Sequence, residues 1–245
     1  MASVLKFARS EKRYSAKRQK GLIVSYTVWD MEYHHPRVRY QPKTRIPRGT
    51  MDEKFLHWPK SVHTGAKLTL EKWTPDGGIT PHINVFTSGC RVIPESVPTK
   101  LSWHSKVNPD DFLWSKVYSV SDLMRALIEN LDPEAHQFEP LELVKSRHSL
   151  LEKRWFWNVL NRISSINPEK TTIEPSMLPS GARDYGRLNT SGEEYVFDAE
   201  RIGSRHFWRD MHTLSPVLFC TDVAKMEFEK RNFTGAKFRR LGIAY

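Results

Sequence analysis

The residues that could support covalent chemistry in this sequence are few. Cys220 lies near His206 and His212, and a thiol beside an imidazole is the pair that cysteine enzymes use for nucleophilic attack. However, Cys220 ends an apolar run that predicts a buried strand, and buried cysteines are usually inert. The other cysteine, Cys90, forms no CxxC spacing with it that would indicate a zinc site or a redox motif. We therefore expect two unreactive thiols.

A group of acidic residues around a glycine-containing loop has the oxygen ligands that a hard cation prefers. The group consists of Asp184, Glu193, Glu194 and Asp198. A solvated acidic loop explains the same residues more simply, and the chain has no HExxH, P-loop, GxGxxG or GxSxG motif. The sequence therefore predicts no catalytic residue, no metal site and no cofactor, and hence a protein that is not an enzyme.

Cations and aromatic rings crowd together in one segment, Gly203–Arg209, whose sequence is Gly-Ser-Arg-His-Phe-Trp-Arg. In a protein that binds nucleic acid, such a segment could stack on bases and hold phosphate. The alternative is that these rings and cations belong to the framework of the fold. We favour the framework interpretation, because the family resemblance given below implies that an aromatic–arginine segment at this place belongs to the shared framework.

Positive charge is concentrated in residues 1–50, which hold 12 lysines and arginines but 3 acidic residues. The rest of the chain is nearly balanced, with 26 basic and 25 acidic side chains, so this basic segment carries almost all of the formal charge of +10. It could bind nucleic acid, an anionic membrane or an acidic protein surface, or it could be a solvated face. Its candidate contact residues are Lys12, Arg13, Lys17, Arg18, Arg37 and Arg39.

The composition is that of a soluble globular protein. At 245 residues the chain can bury a core, as one large domain or two small ones. Its 8 Trp, 8 Tyr and 12 Phe argue against disorder, in which aromatic residues are scarce. No apolar run approaches the ~20 residues that cross a bilayer, and the first residues lack the apolar centre of a secretory signal. We expect a cytoplasmic protein that does not enter a membrane.

Two helices are expected among the elements that position these side chains. The first has a cap at Ser119 or Ser121 and ends before Pro133, and the second covers roughly residues 222–231 behind a cap at Thr221. The apolar residues of the first helix are predicted to form one stripe that packs on the core. They are Leu123, Met124, Leu127, Ile128 and Leu131.

The remaining segments are strands and loops without regular βαβ order. Strands are predicted near residues 21–30, 67–73, 79–86, 138–144, 154–163, 195–197, 207, 217–220 and 237–241, and loops at 145–153 and 167–194. No internal repeat is visible in the sequence. This pattern predicts an α+β fold with a mostly antiparallel sheet and a few helices, and it leaves room for two subdomains.

Short segments in the last third of the chain follow one another in a recognisable order. They are 155–161 (WFWNVLN), 195–202 (YVFDAERI), 206–209 (HFWR) and 216–222 (PVLFCTD), the last leading into 232–238 (NFTGAKF). Together they resemble the C-terminal pattern of bacterial polymorphic-toxin immunity proteins, the family numbered eleven in the immunity nomenclature. The resemblance covers roughly residues 119–245. It implies an α+β immunity domain there, preceded by a basic, β-rich region at residues 1–118.

The resemblance also implies a function, which is to bind and neutralise a cognate toxin domain. Such toxins are secreted between competing bacteria, for example by type VI secretion. The basic segment would meet an acidic patch on the toxin, and the long loop would add Arg183, Tyr185 and Arg187 to the interface. The alternative is a nucleic-acid-binding accessory protein that uses the basic segment, although we do not expect nucleic acid to be the partner.

Overall fold

The computed structural model describes residues 25–33, 56–57, 72–73, 79–80, 91, 97–103, 107–114, 117–145, 149–177, 183–185, 194–213 and 217–245. Its helices are α1 (Asp122–Leu131), α2 (Ala199–Ile202) and α3 (Asp222–Lys230). Its strands are β1 (Tyr26–Tyr33), β2 (Leu56–His57), β3 (Lys72–Trp73), β4 (Ile79–Thr80), β5 (Lys100–Trp103), β6 (Phe112–Trp114), β7 (Tyr118–Val120), β8 (His136–Lys145), β9 (Leu150–Val159), β10 (Arg162–Ile163), β11 (Ser176–Met177), β12 (Arg183–Asp184), β13 (Tyr195–Phe197), β14 (Phe207–Asp210), β15 (Phe219–Thr221) and β16 (Ala236–Ala244).

Both predicted helices are present, and each begins at an expected cap. Ser121 Oγ accepts a hydrogen bond from the backbone N–H of Met124 at 3.3 Å at the start of α1. Thr221 Oγ1 accepts one from the N–H of Ala224 at 3.4 Å at the start of α3. These side-chain oxygens satisfy N–H groups that have no partner inside the helix, which is why the boundaries could be predicted from local sequence.

The short helix α2 is not predicted by the sequence pattern. Asp198 caps it, because one of its carboxylate oxygens accepts from the N–H groups of Glu200 and Arg201, both at 3.0 Å. The helix has 4 residues, which is too short for the apolar periodicity by which a helix is recognised in a sequence.

Two six-stranded sheets dominate the described residues. Sheet I has the order β2-β5-β8-β9-β7-β6, and sheet II has the order β10-β14-β15-β1-β16-β13. Most neighbours are antiparallel, and the parallel pairs are β5 with β8, β13 with β16, and β10 with β14. This arrangement agrees with the predicted α+β class, with more strand than helix. The division into subdomains and the boundary at residue 118 stay predictions, although both sheets contain strands from each side of that residue.

The segment 145–153, predicted as a loop because of its charges, is largely strand. β8 extends to Lys145, β9 begins at Leu150, and the two strands pair antiparallel over most of their length. Lys153 is exposed, whereas Glu152 is on the opposite face of the strand, where it is half-buried and forms an ion pair with the buried Arg154. The predicted strand over 154–163 is likewise wrong at its end, because β9 stops at Val159 and β10 is a separate strand in sheet II.

The segment 167–194, predicted as a surface loop, is more ordered than expected in its described part. β11 and β12 form a two-stranded antiparallel ribbon. Ile173 and Tyr185 are buried and join the core of sheet II. In the described parts of the strands predicted at 67–73 and 79–86, β3 pairs antiparallel with β4.

Three clusters of buried side chains hold these elements together. The central core combines side chains of α1 and α3 with those of both sheets, including Met124, Trp157, Phe207, Cys220 and Phe228. The second cluster lies on sheet II and the third on sheet I. The two sheets are therefore joined by one shared apolar layer to which each contributes a helix.

The two sheets repeat one arrangement of strands. In sheet I, the order β6-β7-β9-β8-β5 contains three antiparallel pairs followed by one parallel pair. In sheet II, the order β14-β15-β1-β16-β13 has the same sequence of directions. A helix follows the second strand of each series, α1 after β7 and α3 after β15. We call residues 100–159 the first half, and residues 195–244 together with 26–33 the second half.

The pairing registers of the two halves agree at the level of single residues. Val120 pairs with Trp155 in the first half, and Cys220 pairs with Trp29 in the second. The segments that start the helices also align, since residues 121–129 are SDLMRALIE and residues 221–229 are TDVAKMEFE. The expectation of no internal repeat is therefore wrong. The two halves share few identical residues. In addition, β1 corresponds to β9 but precedes the rest of its half in the chain. For both reasons the repeat is difficult to see in the sequence.

The halves meet through reciprocal contacts. The N–H of Phe112 in β6 donates to the carbonyl oxygen of Thr234, in the loop after α3, at 3.0 Å. The N–H of Phe207, at the equivalent position of β14, donates to Asp132 Oδ2, in the loop after α1, at 2.7 Å. The loop after each helix thus binds the outer strand of the other half. A two-fold dimer interface is built in the same way, because both subunits use the same surface patch.

Candidate partner-binding surface

The structure describes two of the nine residues predicted at a toxin interface. One of them is exposed and the other is buried. Arg183 is exposed on β12. Tyr185 is 2% exposed and packs in the core of sheet II, where its carbonyl oxygen accepts a hydrogen bond from the Tyr195 hydroxyl. The Tyr185 ring therefore offers no surface to a partner in this conformation. The other seven residues lie outside the described ranges: Lys12, Arg13, Lys17, Arg18, Arg37, Arg39 and Arg187.

The arginine- and aromatic-rich segment at 203–209 belongs to the framework, as favoured from the sequence. Phe207 and Trp208 are fully buried, and Arg209 is 3% exposed. The guanidinium carbon of Arg209 lies 5.2 Å from the centre of the Tyr118 ring, so this cation is held inside the protein. These rings and this cation cannot stack on nucleic-acid bases without unfolding.

No thiol–imidazole pair forms among the described residues. Cys220 is fully buried, and burial raises the pKa of its thiol. His206 Nδ1 lies 2.8 Å from Thr221 Oγ1, and burial lowers the pKa of the His206 imidazole, an effect that Asp132 partly offsets. His212 Nε2 lies 2.9 Å from Ser164 Oγ. Among the same residues, no group of three or more His, Cys, Asp or Glu side chains could hold a metal ion.

The start of α1 carries four side chains that we call the α1 face: Leu123, which is exposed, and Arg125, Phe138 and Trp155, which are half-buried. The indole N–H of Trp155 donates to Asp122, the first residue of the helix. The guanidinium of Arg125 lies 3.7 Å from the centre of the Trp155 ring and 5.4 Å from that of Phe138. Leu123, two positions before Arg125 and therefore on the other side of the helix, is 71% exposed.

The start of α3 repeats this arrangement in the second half. We call it the α3 face: Trp29, Val223, Lys225 and Met226. The Trp29 indole donates to Asp222, and Lys225 Nζ lies 4.7 Å from the centre of the Trp29 ring. Val223 is 49% exposed and Met226 is 65% exposed. Each face thus combines a tryptophan fixed by a carboxylate, a cation above its ring, and an exposed apolar side chain.

The exposed position of Leu123 differs from the expectation, which placed it in the buried stripe of the first helix. Residues that face the core on α1 are Met124, Leu127 and Ile128, while Leu123 points away from them. The signal that could have found the faces is the repeated order of a cap, an aspartate and an aliphatic residue at 121–123 and 221–223.

Most of the chain is similar to one known protein family. No curated protein matches the chain. None of the helices in the described residues is long and apolar enough to cross a membrane. The family model described as "Immunity protein family (Imm11)" matches residues 33–242.

Proposed function

Because the chain belongs to the Imm11 immunity protein family, we propose that it binds a cognate antibacterial toxin domain and neutralises it by binding, without catalysis. The match to the family model over residues 33–242 is the observation that carries this proposal. The protein would act in the cytoplasm of the cell that must survive the toxin. An inhibitor of this kind needs a complementary surface with aromatic and arginine anchors and a polar rim.

The α1 and α3 faces supply such anchors. Arg125 and Lys225 are held over tryptophan rings and also pair with Glu129 and Glu229 at 2.8 and 2.7 Å, so their side chains are already ordered before a partner arrives. Ordered side chains lose less entropy on binding, which favours affinity. An exposed leucine on the first face, and a valine and a methionine on the second, supply apolar area that a toxin would bury.

The basic segment would act at a longer range. Lys12, Arg13, Lys17 and Arg18 could attract an acidic patch on the toxin, which would raise the association rate more than the final affinity. Arg183, exposed on β12, is a further candidate contact. Residues 203–209 no longer support the nucleic-acid alternative, because the Phe207 and Trp208 rings are buried.

Co-expression and binding measurements test this function. The protein should restore growth to cells that make the toxin domain encoded beside its gene, and the two should co-purify. We expect Leu123→Asp and Val223→Asp each to weaken the complex about 30-fold, the effect of losing an interface anchor of about 2 kcal/mol. Reversing Lys12, Arg13, Lys17 and Arg18 to Glu should slow association at low salt.

The matched control is Leu150→Asp, since Leu150 is 53% exposed but lies at the start of β9, away from both helix starts. It should bind the toxin as the parent protein does. If the toxin kills equally well with and without the protein, the immunity function is wrong. If both face variants bind like the control, the toxin uses another surface.

A further inference from the structure

The two sheets differ at one edge. Sheet II continues beyond β14 with a further strand, β10, whereas sheet I ends at β6 among the described strands. Since β6 and β14 are equivalent strands of the two halves, β10 has no counterpart beside β6 in the part of the chain that the structure describes. The outer edge of β6 is therefore the place where the two sheets stop matching.

The pairing of β10 with β14 shows how such an edge can be used. The two strands are parallel, with Arg162 beside Arg209. The N–H of Arg209 donates to the carbonyl oxygen of Asn161 at 2.8 Å, and the N–H of Met211 donates to that of Ile163 at 2.9 Å. The side chain of Ile163 packs against the core cluster of sheet II. One short extended segment thus supplies acceptors to the outer edge of β14 and an apolar side chain to the core.

Trp114 is the residue of β6 that corresponds to Arg209. Phe112 and Phe207 occupy equivalent positions of the two strands, and Trp114 and Arg209 each lie two residues further along. The N–H of Phe112 points away from β7, since it donates to the carbonyl oxygen of Thr234 at 3.0 Å. Successive N–H groups of a strand alternate in direction, so the N–H of Trp114 points the same way. No described residue accepts a hydrogen bond from it.

The edge of β6 is held in place by the core. Phe112 is fully buried and Leu113 is 1% exposed, so the side chains of the strand fix its position. Backbone N–H groups along the edge of a sheet are a template for pairing with another chain. A partner at this edge would therefore meet an ordered strand and would recognise its backbone rather than its side chains.

The edge adjoins the α1 face. Asp111, which precedes β6, accepts a hydrogen bond on its carbonyl oxygen from the N–H of Ser121 at 2.9 Å, and its carboxylate accepts one from the Ser121 hydroxyl at 2.8 Å. Ser121 caps α1 and lies two residues before the exposed Leu123. Trp114 is three residues beyond Asp111, which is about 10 Å along a strand. A partner that buries Leu123 would therefore lie close to the edge of β6.

We propose that the outer edge of β6 binds an extended segment of the toxin, which joins sheet I as a parallel strand. This proposal rests on the proposed function and names the part of the partner that one site recognises. A backbone carbonyl oxygen of the segment would accept the N–H of Trp114. An apolar side chain of the segment would lie on the same face as Leu113, as Ile163 lies on the same face as Trp208. Addition of a strand to a sheet edge is a general way in which proteins bind extended segments.

Two substitutions of Trp114 separate the backbone contact from the side chain. Trp114→Pro removes the N–H at a sheet edge, where proline is tolerated, and we expect it to weaken the toxin complex about 10-fold, the net effect of losing one good hydrogen bond. Trp114→Phe is the matched control, because it keeps the N–H and an aromatic ring. It should change the affinity by less than about threefold. Equal losses in the two variants, with intact circular dichroism spectra, would overturn the proposal.

Hydrogen exchange in the full-length parent protein tests the same contact without a substitution. In the free protein the N–H of Trp114 should exchange rapidly, whereas that of Leu113, which pairs with Ser119 of β7, should be protected. In the complex we expect exchange at Trp114 to slow by about 10-fold or more. A nuclear Overhauser contact between this N–H and an Hα proton of the toxin backbone should identify the neighbour as a strand.

The outcomes of the exchange measurement distinguish the two proposals. Rapid exchange at Trp114 in a complex that still neutralises the toxin would refute strand addition and leave the proposed function intact. Slow exchange in the free protein would show that this chain covers the edge itself, for example with the residues that follow β1 as β10 follows β9, and would also refute it. If no complex with the toxin forms, the proposed function fails and strand addition fails with it.

Discussion

At the residue scale, buried charges are stabilised by backbone groups of distant segments. Asp210 is 1% exposed, and its Oδ2 accepts hydrogen bonds from the N–H groups of Ser165 and Ile166. Its other oxygen accepts from the N–H of His212 at 2.7 Å. The hydroxyl of Ser165 also donates to Asp210 and accepts from the indole N–H of Trp208. This network fixes the end of β14 against the chain after β10.

His206 should make stability depend on pH. Because burial lowers its pKa from the ordinary value of 6.5, the folded protein binds this proton less tightly than the unfolded chain does. The stabilisation from neutral His206 is therefore complete above about pH 6.5 and is lost as the pH falls through the lower folded pKa. We expect the free energy of unfolding in urea to fall as the pH is lowered below about 6.5, and to fall less in His206→Gln.

An NMR titration of the His206 ring provides the direct check. Its midpoint should lie below that of an unfolded peptide with the same local sequence. A midpoint at or above the peptide value would contradict the prediction, as would equal pH dependence of the parent and the variant.

At the element scale, the fold depends on close approach between strands. Gly242 lies in β16 beside the parallel strand β13, and a Cβ atom built on it would lie 1.8 Å from the carbonyl oxygen of Tyr195. Gly235 has a φ of 86°, and a Cβ there would lie 2.1 Å from the carbonyl oxygen of Phe112. Neither position has room for a side chain, so both must be glycine. Gly235 also has a positive φ, which other residues rarely adopt.

Gly242→Ala should be severely destabilising. The clash involves backbone on both sides, so β13 and β16 must move apart and their shared hydrogen bonds must weaken. We expect a loss of about 3 kcal/mol or more in the free energy of unfolding, measured in urea. Glu142→Ala is the control, since Glu142 pairs with the parallel strand β5 and forms an exposed ion pair with Lys100 at 3.3 Å. It should cost less than about 1 kcal/mol, and similar losses in both variants would refute the argument.

The sequence predicts those helices and strands that are determined by residues close together in the chain. The caps at Ser121 and Thr221 set the helix starts, and alternating or apolar runs indicate most strands. The pairing of β1 with β15 and β16 is not predictable in this way, because it joins segments far apart in the chain. The α3 face depends on those pairings, because Trp29 lies on β1 and donates to Asp222, so this part of the candidate surface could not be predicted from the sequence.

At the scale of the whole molecule, two similar halves share one core. The first half is continuous, since β9 follows β8 directly. The second half takes its corresponding strand, β1, from earlier in the chain. Tyr26 pairs with Ala244, so the end of β16 lies beside the start of β1, as in a hairpin whose turn is missing.

This geometry predicts that β1 can be moved without loss of the fold. In the altered chain, residue 24 is joined to residue 34, and residues 25–33 follow Tyr245 after a short turn. We expect cooperative unfolding and a near-ultraviolet circular dichroism spectrum like that of the parent, because every strand keeps its neighbours. The same transposition with Trp29→Ala should be less stable, since it removes the indole that bonds Asp222. Loss of cooperative unfolding in the transposed chain alone would show that the natural order of β1 matters.

The early position of β1 has a consequence for how soon sheet II can form during synthesis. Thr27 hydrogen-bonds to Asp222, 195 residues later in the chain. A ribosome adding about 5–20 residues per second needs roughly 10–40 s to bridge that separation. During this interval β1 has left the ribosome with neither of its neighbours in sheet II yet synthesised. Nascent chains therefore lack both neighbours of β1, and the contact of Trp29 with Asp222 on the α3 face forms only in nearly completed molecules.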